Sequence, residues 1–144
     1  MKRLLILTAT CLCLLGMNQK DNGKHEYVKV AAFTLDQTIS AEIRSYPDLQ
    51  LRKLSSVEIT LNANPGHDLK DVSIVGFDAQ MPDHRHGMVV TPSKPKKLDP
   101  ASSKKASYLI EGVKLHMPGK WVLQIKLSSK EGERLHEIPL DVKL

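Results

Sequence analysis

Tyr108-Leu109-Ile110-Glu111-Gly112-Val113-Lys114-Leu115-His116-Met117-Pro118-Gly119-Lys120-Trp121-Val122-Leu123-Gln124-Ile125-Lys126-Leu127-Ser128 is the stretch that decides the fold. Trp121, Leu123, Ile125 and Leu127 alternate with Val122, Gln124, Lys126 and Ser128. That period of two is the pattern of a strand buried on one face. Before it, Tyr108 and Ile110 hold one phase, and Val113 and Leu115 take over after Gly112. One extra residue in a strand swaps its faces, so a bulge is expected at Gly112. With Pro118-Gly119 between the two runs, the stretch reads as an antiparallel hairpin of Tyr108–Leu115 and Lys120–Ser128.

The same period recurs outward from there. Val57, Ile59 and Leu61 alternate with Glu58, Thr60 and Asn62, and Asn64-Pro65-Gly66 closes that run with a turn. Val72 and Ile74 give way to Val75, Phe77 and Ala79, a second expected bulge. Ile138, Leu140, Val142 and Leu144 alternate with Pro139, Asp141 and Lys143 after the turn signal Glu131-Gly132. Proline brings no N–H to a ladder, which places that last strand at an edge. Val28 to Leu35 reads as a first strand, and Ile39, Ala41 and Ile43 suit another. No stretch has the period of an amphipathic helix. About seven strands at short spacing imply an all-β chain, an immunoglobulin-like Greek-key β-sandwich. Thr91 to Ala106 interrupts the pattern with Pro92, Pro95, Pro100 and five lysines, and is expected to be a long exposed connector.

The chain of 144 residues suffices for one domain with its own core. Its start differs from the rest. Lys2 and Arg3 precede an almost unbroken apolar run from Leu4 to Leu15, then the small Gly16 and a polar stretch. This is the order of a secretory signal, and the run falls short of the roughly 20 residues that span a bilayer. Residues 1–16 are therefore read as a signal peptide, 17–27 as a short N-terminal segment, and 28–144 as the sandwich domain, with no transmembrane helix in the mature chain. Both cysteines, Cys11 and Cys13, fall in the signal, so the mature domain would carry no disulfide. Neither follows the small residue that lipid attachment prefers, so lipid anchoring is the lesser reading and an extracytoplasmic location, periplasmic or secreted, the main one. Loss of Lys2 and Arg3 would lower the net charge from +5 to +3, too mild for a nucleic-acid partner.

Chemistry concentrates in two places, Met81-Pro82-Asp83-His84-Arg85-His86-Gly87-Met88 and His116-Met117. Thioethers suit Cu(I), and imidazole suits copper in both oxidation states, so Met81, His84, His86, Met88, His116 and Met117 form a candidate copper set. His84 and His86 stand two apart, which in extended backbone puts both on one side. Gly87 would allow a turn there. Zinc fits less well without a mature cysteine. The competing reading makes the histidines loop-shaping hydrogen bonders and the methionines fillers of irregular core gaps. No nucleophile elbow, phosphate-binding glycine loop or His-Glu-x-x-His motif is present, so no enzyme is expected.

Taken together, Met81-Pro82, His84, His86-Gly87-Met88, Pro92, and the later Glu111-Gly112-Val113, Leu115, Met117-Pro118-Gly119, Trp121 and Leu123 resemble the YtkA-like/FixH-like domain family. The resemblance spans Val57 to Leu144. It implies an immunoglobulin-like sandwich in secreted or membrane-anchored bacterial proteins, some of them linked to cytochrome oxidase assembly or copper handling. It also implies that Met117-Pro118-Gly119 is a hairpin turn and Trp121 a core residue. Unlike FixH-like members, this chain has no full transmembrane helix. The expected function is a non-enzymatic envelope domain that binds copper through its His/Met loop. The alternative is a structural or interaction module that meets another envelope protein through the lysine-rich Thr91–Ala106 segment or a sandwich edge.

Overall fold

A computed structural model of the protein describes residues 28–46, 49–98 and 102–143. The proposed signal peptide with Cys11 and Cys13, and the segment 17–27 with His25, lie outside the described residues. Among the described residues there are nine strands: β1 (Val28–Thr34), β2 (Ile39–Tyr46), β3 (Ser55–Ala63), β4 (Ser73–Met81), β5 (His86–Gly87), β6 (Lys96–Leu98), β7 (Lys105–Val113), β8 (Gly119–Ser129) and β9 (Gly132–Val142). They form two antiparallel sheets, β1-β2-β3-β7-β6 and β5-β4-β8-β9. Among the described residues no helix is long and apolar enough to cross a membrane.

Alternation sets the layers. Ile39, Ala41 and Ile43 of β2, Val57, Ile59 and Leu61 of β3, and Tyr108 and Ile110 of β7 turn inward from one sheet. Ile74, Ala79 and Met81 of β4, with Trp121, Leu123, Ile125 and Leu127 of β8, turn inward from the other. All belong to one core cluster shared by the two sheets. Fully burying each such aliphatic side chain contributes about 1.5–3 kcal/mol before chain entropy is charged against it. Trp121 lies wholly inside, as expected for a core residue.

Both anticipated phase changes are bulges. The β3–β7 register slips between Ser55 and Val57, opposite Glu111 and Gly112, and the β4–β8 register slips between Ile74 and Gly76. Val75 is the extra residue of the second bulge and stays 44% exposed rather than joining Phe77 and Ala79. β9, which carries Pro139, is an edge strand.

Two expectations are corrected. Tyr108–Leu115 and Lys120–Ser128 are not hairpin partners. β7 pairs with β3 and β6 in one sheet, whereas β8 pairs with β4 and β9 in the other. Lys114 to Pro118 carries the chain across the end of the sandwich. Leu115 is buried there, and the indole Nε1–H of Trp121 donates to the Met117 carbonyl at 2.9 Å, which holds the corner. A tight hairpin would pull Leu115 out of the core. Secondly, Thr91–Ala106 is not wholly irregular, since Lys96–Leu98 pairs with Leu109–Ser107 as edge strand β6. Two exposed lysines on so short an edge discourage further pairing.

Candidate metal centre

The two His/Met segments meet at one end of the sandwich. β4 ends at Met81, and Pro82 opens a 3-10 turn over Pro82–His84, a first position that suits its fixed φ and missing N–H. Arg85 then takes a left-handed conformation at φ 55°, its N–H donating to the Pro82 carbonyl, and the chain returns as β5. Arg85, not Gly87, therefore makes the sharp reversal. Gly87 is needed for a different reason: a Cβ there would stand 3.3 Å from the Ala79 carbonyl oxygen. His84 and His86 are likewise not two residues of one extended strand, because Pro82 starts a turn that contains His84.

Register explains where His86 points. It lies opposite Met81 in the β4–β5 ladder, and residues directly opposite share a face. Met81 faces inward at 1% exposure, so His86 sits on the inner face at the rim of the core. From the other side, the corner between β7 and β8 brings His116 to the same rim. The His86 and His116 rings are 5.2 Å apart, centre to centre, and the His84 and His86 rings 5.8 Å. His116 in turn meets the Trp121 ring edge-on at 5.5 Å. The result is a row of three imidazoles ending on the indole, with His84 exposed and His86 and His116 half-buried.

Nδ1 of His116 is buried and has no hydrogen-bond partner among the described residues. Leaving such an atom unsatisfied costs about 1–3 kcal/mol. Burial first, and then Coulombic repulsion from the neighbouring His86, Arg52 and Lys114, hold the His116 pKa below its usual 6.5. The ring is therefore neutral at neutral pH, the form in which imidazole binds a metal. Nδ1 of His86 lies 3.4 Å from the Gly87 carbonyl oxygen. A proton on that nitrogen would leave Nε2 with a free lone pair.

The methionines are placed by packing. Met81 is a core residue whose Cε comes within 3.2 Å of where a Cβ on Gly119 would be, and Met88 and Met117 lie half-buried against the core. As the side chains stand, no group of three or more His, Cys, Asp or Glu among the described residues is arranged to hold a metal ion. His67 and His136 belong to other parts of the surface, His136 lining a cleft with Asp36, Asp71 and Arg134. Sequence reasoning missed Trp121 as the floor of the cluster. The edge contact depends on the β7–β8 corner, which was read as a hairpin. Comparison of the chain with known protein families, with curated proteins and with solved structures found no match.

Proposed function

We propose that this protein is an exported, non-enzymatic domain that binds one copper ion at the rim where β5 meets the β7–β8 corner. His86 and His116 are the anchoring ligands. The observation that carries the reading is the pair of imidazole rings 5.2 Å apart, with a buried His116 nitrogen that has no partner among the described residues. Imidazoles sharing one tetrahedral ion at metal–nitrogen bonds of about 2 Å stand with ring centres about 5 Å apart. His84 needs only a side-chain rotation of an exposed residue to join them. Met81 is opposite His86, at a Cβ separation of about 5 Å for such pairs, and offers a thioether from the core side. Met88 and Met117 are the other sulfur donors in the set.

The electrostatics favour Cu(I). Arg52 and Lys114 already press on His116, and a positive surrounding opposes a dication about twice as strongly as a monocation. Thioether donors act in the same direction. Export is supported by the order of charge, apolar run and small residue in 1–16. An immunoglobulin-like Greek key is supported by the strand order. β2-β3-β7-β6 and β4-β8-β9 correspond to the ABED and CFG sheets of that fold, with β1 and β5 added. The motif order from Met81 to Leu123 supports membership of the YtkA-like/FixH-like domains.

Competition with a Cu(I) chelator tests the copper reading. Stoichiometric binding that is lost in the His84→Ala/His86→Ala double variant and weakened in His116→Ala, with folding unchanged, is the expected result. A structural module without metal is the second reading, favoured by the absence, among the described residues, of a preformed three-ligand arrangement. It predicts no copper binding and lower stability in the same variants.

A further inference from the structure

β4 is paired along its length on one side only. β8 covers Ser73 to Gln80, whereas on the other side β5 meets just Gln80 and Met81. Among the described residues no strand lies beside Val75 to Asp78 on that side. The ladder's alternation tells which backbone groups face outward. The Ala79 N–H donates to the Asp78 carboxylate at 2.7 Å, and the Ala79 carbonyl faces Gly87. Ala79 thus turns its backbone away from β8, and two residues earlier Phe77 does the same. Val75, as the extra residue of a bulge, is left out of the β8 ladder.

A wall faces this edge. The chain leaving β5 runs past it to the other sheet, and Met88, Val90 and Lys94 line the far side of a groove of about 350 Å³. Ser93 pins the wall in place: its N–H donates to the Glu111 carbonyl, and its hydroxyl accepts from the Glu111 N–H, both at 2.8 Å. Two exposed valines, Val75 at 44% and Val90 at 38%, look into this groove. Single exposed valines are ordinary, but here two stand beside unpaired backbone.

We propose that this groove takes an extended acidic segment of a partner protein as an added strand on β4. Unpaired backbone groups supply the ladder, and the valines supply contacts for alternate side chains. Charge decides the occupant. Lys94 is in the wall, and Lys96 and Lys97 follow it on β6. Without Lys2 and Arg3 the net charge is still +3, which opposes a second copy of the chain and attracts an acidic segment. Asp78 also lines the groove and keeps its charge while accepting the Ala79 N–H, so the acidic side chains of the segment belong on the Lys94 side. The bulge at Val75 limits pairing to a few residues and so guards against indiscriminate aggregation.

The test is an amide NMR titration of the purified protein with the capped peptide acetyl-Val-Glu-Val-Glu-Val-amide. Its controls are the Lys-for-Glu analogue and a peptide N-methylated at alternate positions. The expected result is saturable shifts at the Val75–Asp78 amides for the acidic peptide and loss of binding on N-methylation. Lys94→Glu, an exposed change that leaves the fold intact, is expected to weaken the acidic peptide about fivefold and to favour the Lys analogue. Three results would overturn the proposal: no saturable shifts, equal binding of the two charge types, or the same shifts appearing with protein concentration alone, which would assign the edge to a second copy.

Discussion

His116 carries more of this account than any other residue. Its lowered pKa, its unpartnered Nδ1 and its edge contact with Trp121 all come from one fact, that the β7–β8 corner tucks it against the rim of the core. Trp121 is the chain's one tryptophan, and it is fully buried. A copper ion on His116 therefore sits close to the molecule's one indole. Its fluorescence is expected to fall in step with added copper to one equivalent in the wild type. In His116→Ala the same titration should leave it nearly flat. Quenching that continues past one equivalent, or persists undiminished in His116→Ala, would point to scattered surface binding.

At the scale of the element, two turns make sharp demands. Gly119 begins β8 at φ +123°, a conformation that L side chains rarely adopt, and a Cβ there would press on Met81 Cε at 3.2 Å. The methyl end of Met81 can yield, but the backbone cannot. Gly119→Ala should cost about 1–3 kcal/mol in denaturant unfolding and disturb the corner that positions His116. The β1–β2 turn rests on Asp36, whose carboxylate accepts from the Thr38 N–H, the Thr38 hydroxyl and the Ile39 N–H at 2.7, 2.6 and 2.9 Å. Burial pushes the Asp36 pKa up, but these bonds, led by the Thr38 hydroxyl and helped by Arg134, outweigh it and hold it below 3.8. A carboxylate with a lowered native pKa contributes stability above its unfolded pKa and loses it as pH falls through the native one. Asp36→Ala should therefore cost about 1–2 kcal/mol at pH 7, with the difference from wild type shrinking below pH 3.8. Equal destabilisation at pH 7 and pH 2 would mean that the charge is irrelevant to this turn.

For the whole molecule, what could be read in advance follows from what alternation encodes. Period two tells which side of a strand is buried, so the inward residues of β2, β3, β8 and β9 were legible. So were the bulges, because a slipped phase in Val72–Ala79 and Tyr108–Leu115 is visible in the letters alone. Alternation does not tell which strand lies beside which. Pro118-Gly119 looks like a hairpin turn whether the next strand folds back or crosses to the other sheet, and that ambiguity produced the wrong pairing of β7 with β8. The same ambiguity hid the site. The separation of His86 and His116 in sequence carries no information about their 5.2 Å approach, which depends on the crossing. Arg85 in the left-handed region was equally illegible, since Gly87 two residues on offered the more obvious hinge.

The central claim is that His86 and His116, from segments about thirty residues apart in sequence, share one copper ion. X-ray absorption at the copper edge of the Cu(I)-loaded protein tests it most directly, compared between wild type and His116→Ala. The account predicts at least two imidazoles at about 2 Å with a sulfur at about 2.3 Å in the wild type, and one imidazole fewer in His116→Ala. An identical imidazole count in both proteins would contradict it.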